Sequence, residues 1–243
     1  ITSLIRRGHT VANPVAGTSS HFGTMANLVY TYETKSNRLK KVLDNGNDTY
    51  GFKDGSNITT EYTYDANGNM ISDANKGITS IGYNHLNLPT YIVNPYQYKS
   101  LNYIYDATGQ KLEKKYSGMG MSTVTTHYAG NYVYENNKLK FFNHPEGYAE
   151  PKDENNLSLG FNYIYQYKDH LGNIRLSYQD MDGNGTIDPI TEIKEENHYY
   201  PFGLKHKGYN ANQVGRDHQY GFGGKEEQSE LGLEWHDFSA RNY

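Results

Sequence analysis

The chain has 243 residues, with 23 basic and 27 acidic side chains and a formal net charge of −4. So even a balance argues against a nucleic-acid groove or an anionic membrane surface, and no run of about 18 apolar residues is present to span a bilayer. The absence of cysteine excludes disulfide staples, thiolate-held zinc and thiol catalysis. Aliphatic residues are few, but the 25 tyrosines supply rings that bury while their hydroxyls find partners, so a thin tyrosine-built core is expected.

Residues 1–26 carry Arg6 and Arg7 without a following apolar stretch, which does not read as a signal peptide. With Ile1 at its start, the chain is expected to be an internal or processed fragment, with any targeting signal lying outside it. From residue 27 a repeat begins. Tyr-x-Tyr recurs at Tyr30/Tyr32, Tyr62/Tyr64, Tyr103/Tyr105, Tyr132/Tyr134 and Tyr163/Tyr165/Tyr167, with Ile81/Tyr83 a weaker copy. Residues two apart on a strand share a face, so each pair places two rings on one side, and β-branched residues between them suit the other. Turns follow at Asp65–Gly68, Asp106–Gly109 and Asp169–Gly172, where Asp can accept a backbone N–H and Gly takes positive φ. Weaker turns place Glu33, Asn84 and Glu135 in the Asp position, and Ser36, Asn87 and Lys138 in the Gly position. Second arms then run through Leu39–Val42, Met70–Ile71, Leu88–Val93, Leu112–Tyr116, Leu139–Phe141 and Ile174–Tyr178. The pattern predicts an all-β fold of antiparallel hairpins over residues 27–178, with no amphipathic helix.

After Tyr178 comes Asp180-Met-Asp182-Gly-Asn184-Gly-Thr186-Ile-Asp188. Oxygen side chains two apart, with a Gly at the bend, form a pattern that wraps a hard cation. Asp180, Asp182, Asn184, Thr186 (through its carbonyl) and Asp188 are the candidate calcium ligands. Glu192 stands one place late for the usual bidentate carboxylate, Thr191 occupying that position. An acidic turn without a metal is the competing reading.

Tyr-Asp-x-x-Gly followed by a mixed apolar and charged arm resembles the YD repeat of the Rhs (rearrangement hotspot) and teneurin family. The resemblance extends through Tyr167-Lys-Asp-His-Leu-Gly-Asn173, Tyr199-Tyr-Pro-Phe-Gly203, Gly224-Lys225-Glu226, Leu231-Gly-Leu233 and Asp237–Tyr243. That order is similar to the Rhs-associated core of bacterial surface or secreted proteins of Bacteroidetes-like type, and assigns residues 179–243 to such a core-like segment. The resemblance implies a β-sheet curled into a shell or solenoid that can enclose a C-terminal polypeptide, often a toxin. It also implies export to the cell surface or beyond. The expected partners are the rest of a large chain, an enclosed C-terminal domain and export machinery. The family's self-cleavage segment lies beyond the last motif matched here, so it is not carried over.

No catalytic constellation stands out. Gly221–Lys225 lacks both the Ser/Thr and the spacing of a phosphate loop, and neither Gly-x-Ser-x-Gly nor His-Glu-x-x-His occurs. The scattered histidines, including His198, His206, His218 and His236, have no metal-ligand spacing. The reading is therefore a non-enzymatic structural module. The alternative is a carbohydrate-binding or adhesin module, which would leave several tyrosine rings open and coplanar.

Overall fold

Alternating strands on either side of a tight Asp/Gly turn fold back on each other as antiparallel hairpins, and they do so here. The computed structural model describes residues 1–47, 49–206 and 218–239. Among these the regular structure is strand, apart from short 3-10 turns at Ser19–His21, Leu157–Leu159, Phe222–Gly224 and Glu230–Gly232. None of the described residues forms a helix long and apolar enough to cross a membrane.

The chain divides into two compact units, Ile1–Leu101 and Asn102–Tyr243. In the first, β1 (Ser3–His9), β2 (Phe22–Tyr32) and β3 (Leu39–Asp44) form a three-stranded antiparallel sheet. Residues 1–26, outside the sequence repeat, thus supply β1 and open β2. A separate hairpin joins β4 (Tyr62–Tyr64) to β5 (Met70–Asp73), and another joins β6 (Ser80–Tyr83) to β7 (Pro89–Asn94). The division between the units falls within β8 (Lys99–Tyr105). The second unit continues with β9 (Lys111–Gly118), β10 (Val124–Ala129), β11 (Tyr132–Glu135), β12 (Lys138–His144) and β13 (Gly147–Pro151). It proceeds through β14 (Phe161–Lys168), β15 (Ile174–Tyr178) and β16 (Ile193–Glu196). Strands β6 to β16 follow in chain order in one eleven-stranded antiparallel sheet. Short pairs β17 (His198–Tyr199) with β18 (Lys205–His206), and β19 (Glu226–Gln228) with β20 (Trp235–Asp237), complete the described elements.

The three strong turns share one mechanism. Asp65 Oδ1 accepts the Asn69 N–H at 2.8 Å, Asp106 Oδ1 accepts those of Thr108 and Gln110 at 2.8 and 2.9 Å, and Asp169 Oδ1 accepts those of Leu171 and Asn173 at 2.9 and 3.0 Å. The side chains of Asn69, Thr108 and Asn173 donate to the same carboxylates, and with the backbone donors they hold all three pKa values below the ordinary carboxylate value. Gly68, Gly109 and Gly172 close the turns at φ +88°, +87° and +81°, where a Cβ would be strained. In the Asn84–Asn87 copy, Asn84 accepts the N–H groups of Leu86 and Leu88, and Asn87 takes the glycine's place at φ +59°. The Glu135–Lys138 copy differs from the expected Asp/Gly-type turn. Glu135 pairs with Lys138, and Asn136 and Asn137 both have positive φ (+50° and +66°), giving a tight two-residue hairpin.

A register shift accompanies these turns, falling at Thr31/Tyr32, Thr63/Tyr64, Gly82/Tyr83, Val133/Tyr134 and Tyr167/Lys168. Such bulges bend and twist a strand. Next to them, tyrosine hydroxyls reach the backbone of an earlier hairpin. Tyr64 donates to the Leu39 carbonyl at 2.8 Å, Tyr83 to that of Met70 at 2.6 Å, and Tyr199 to that of Ile174 at 3.2 Å. Burial pushes the Tyr64 and Tyr83 phenols up to about 12, so they remain donors throughout the ordinary pH range.

The buried side of the tyrosine pairs is not constant along the chain. Tyr62 and Tyr103 point inward, at 6% and 5% exposure, and join or adjoin the cores of their units. On β11 and β14 the residue between the tyrosines is the buried one, Val133 and Ile164, while Tyr132 and Tyr163 are about half exposed. Val133, Phe141, Tyr148 and Ile164 form the second unit's apolar cluster, packed against Tyr128 and Tyr220. A core-facing β-branched residue fits the flat, close-packed surface beneath Tyr220 better than a ring would.

Candidate functional sites: an acidic loop and a buried ionic cluster

The acidic loop between β15 and β16 folds through its own side chains. Asp180 accepts the N–H groups of Gly183 and Gly185 at 2.7 and 2.9 Å, and Asn184 accepts that of Thr186 at 2.7 Å. The Gly185 and Gly183 N–H groups hold the Asp180 carboxyl below its usual range. Glu192, 3% exposed, closes the loop from the β16 side by accepting from Met181 at 2.6 Å and Asp188 at 2.8 Å. Oxygens of Asp180, Asp182 and Glu192 all lie within 4.8 Å of one another. A calcium ion with oxygen ligands at about 2.4 Å spans that separation across its diameter. Glu192, one place late in sequence, is therefore brought to the cluster. Asp188 is not among the three, and its carboxylate instead accepts from the Ile190 N–H and the Thr191 hydroxyl. Asn184 donates its amide to Asp182.

A second cluster has no counterpart in the sequence reading. The segment 218–239 packs on one face of the second unit's sheet, where His218 stacks on Tyr148 with ring centres 4.0 Å apart. From this segment Glu226, 6% exposed, places Oε1 2.8 Å from Lys114 Nζ and Oε2 2.9 Å from Lys111 Nζ. Lys114 also meets Glu230 at 2.7 Å, and Lys111 meets Asp237 at 2.5 Å. The Tyr128 hydroxyl donates to Glu226 at 2.7 Å, and Tyr103 donates to Gln228 at 2.5 Å. Burial pushes the Glu226 pKa up, but Lys114 and Lys111 outweigh it and the net value falls to about 2. Lys114 is the mirror case, with burial outweighed by Glu226 and Glu230 and a net rise. A lysine in a charged arm reads as solvent-facing, and the partners of these two lie more than a hundred residues away, so no local pattern announces the cluster.

The opposite face of this sheet carries half-open rings. Tyr163, Tyr165 and Tyr167 are 51%, 38% and 66% exposed. Tyr165 and Tyr178 lie within 27° of parallel, but His144 meets Tyr163 and Tyr165 at 53° and 73°. The row is open without being a coplanar platform.

A depressed Glu226 pKa has a defined consequence. The group's contribution is fully present above the ordinary value of 4.5 and is lost as pH falls towards about 2. The single tryptophan, Trp235 on β20, reports the docking of this segment. Its emission is expected to stay constant from neutral pH to 4.5 and to shift red only below that. In Glu226→Gln the shift is expected already at neutral pH, as measured by fluorescence across a pH series.

No family model and no curated protein matches the sequence. Solved structures match the fold over 100% of this chain. They include TcdB2-TccC3 (TM-score 0.56, 16% identity), TcdB2-TccC3-TEV (0.57, 14%) and TcdB2-TccC3 without its hypervariable C-terminal region (0.52, 14%). The chain spans 13% of the length of each. At such identities the likeness is one of fold, and it makes this chain similar to one stretch of a much longer polypeptide.

Proposed function

We propose that the chain is a non-enzymatic wall segment of a large exported protein of the Rhs/YD-repeat kind, which encloses or presents a C-terminal polypeptide, such as a toxin, at the cell surface. The observation that carries this reading is the whole-chain likeness to 13% of TcdB2-TccC3, taken with the landing of each strong Tyr-Asp motif on a hairpin turn. That TcdB2-TccC3 has a hypervariable C-terminal region suits a wall that precedes variable cargo. In the full-length protein, a polypeptide C-terminal to this wall is then expected to resist added protease. Ile164→Asp, which forces a charge into a fully buried position, is expected to expose it. Equal cleavage rates in the two proteins contradict enclosure.

The half-open Tyr163–Tyr167 row favours a second reading, a carbohydrate-binding or adhesin face, which glycan-array binding abolished by Tyr167→Ala would support. In either case the acidic loop serves as a cation-held brace on the connection to β16, with Asp180, Asp182 and Glu192 as its centre. Calcium is expected to bind at about 10⁻⁴ M, as in extracellular modules, and to raise the melting temperature, while Asp182→Ala abolishes both in calorimetry. No binding at several-fold higher calcium leaves the loop an acidic turn.

A further inference from the structure

We propose that Lys111 and Asp237 are joined by an isopeptide bond that forms within the folded chain, with Glu226 relaying one proton. The two side chains start in contact, Lys111 Nζ lying 2.5 Å from Asp237 Oδ2. Glu226 stands directly opposite Asp237 in the β19–β20 ladder, so both carboxylates converge on one nitrogen, Glu226 Oε2 at 2.9 Å. Lys114 and Tyr128 hold the other Glu226 oxygen at 2.8 and 2.7 Å, which fixes Oε2 towards Lys111. The Ser239 N–H donates to Asp237 Oδ1 at 2.7 Å, where charge would gather when nitrogen attacks the carboxyl carbon. The Lys111 nitrogen lies 5.1 and 5.7 Å from the ring centres of Tyr128 and Tyr103, so aromatic walls flank it.

The step balances without a further reactant. The lysine ammonium passes one proton directly to Asp237 Oδ2, leaving a neutral amine beside a protonated carboxyl, and the amine attacks the carboxyl carbon. One N–C bond forms, one C–O bond breaks, and the oxygen leaves as water. Glu226 accepts one proton from the nitrogen and hands it to the departing oxygen, ending as it began. A cavity of about 290 Å³ lined by Tyr105, Gln110, Lys111, Asp237 and Ser239 gives the water a way out. The product replaces an ion pair whose side chains are only 9% and 16% exposed with a neutral amide, removing charges that are costly to keep out of water. In a chain with no cysteine, this is a covalent fastening that its composition allows, tying β20 to the start of β9.

The bond is read from mass, independently of any binding or wall function. The intact wild-type chain, denatured, is expected to be lighter than its sequence by one water. Trypsin is expected to spare Lys111 and to release a branched peptide containing Asp237. Lys111→Arg and Glu226→Gln are expected at their full sequence masses. Asp237→Asn, with ammonia as leaving group, is expected to keep the branch and to lack one ammonia. A wild-type chain at full mass with Lys111 cleaved normally overturns the proposal, and needs no variant to fold. A branch that forms equally in Glu226→Gln overturns the relay.

Discussion

A tyrosine hydroxyl donating to the first carbonyl of an earlier strand ties one hairpin to the next. Leu39, Met70 and Ile174 are the opening residues of β3, β5 and β15, and they receive Tyr64, Tyr83 and Tyr199. Leu39 and Met70 also pair across the register shift, with Tyr32 and Tyr64. The turn, the bulge and the phenol thus act together. Asp and Gly set the turn, the bulge twists the arm beside it, and the phenol of a later hairpin reaches the carbonyl at that place. In the first unit the contact matters most, because β3, the β4–β5 hairpin and β6 lie in three different sheets, linked between them by few backbone hydrogen bonds, such as Glu61 N–H to the Lys40 carbonyl and the Asp73–Ile78 bridge. A phenylalanine would fill the same volume and leave the carbonyl without that donor.

The second unit is held in another way. Its strands ladder continuously from β9 to β16, and the segment 218–239 covers one face with apolar contacts at Tyr220 and charges at Glu226. Buried ion pairs contribute little net stability because desolvation offsets much of their attraction. Their value here is positional. Before any amide forms, two lysines and three carboxylates pair with one another only when β19 and β20 sit over β9, so a slipped docking would strand charge in a dry site.

Much of the fold was legible because its instructions are local. Strand arms, turn positions and the helix-free character follow from Tyr-x-Tyr spacing and from Asp and Gly at fixed offsets. The Glu135–Lys138 turn departed from the expected type because Asn136 and Asn137 both tolerate positive φ and so permit a shorter connection. Which face each tyrosine pair turns inward was not legible, since that depends on what covers the sheet. The acidic loop was visible from its spacing, and the arrival of Glu192 at Asp180 and Asp182 needed the path of the chain. The Lys111–Lys114–Glu226–Asp237 cluster was invisible, since it joins residues that only the return of the tail brings together.

The tyrosine contact between hairpins is tested most directly by removing single oxygen atoms. Urea unfolding of Tyr64→Phe and Tyr83→Phe is to be compared with Tyr163→Phe, whose ring is 51% exposed. The account predicts a loss of about 1 kcal/mol for each of the first two, the usual net worth of such a hydrogen bond, and no measurable change for the third. Phenylalanine variants at 64 and 83 as stable as the wild type would contradict it.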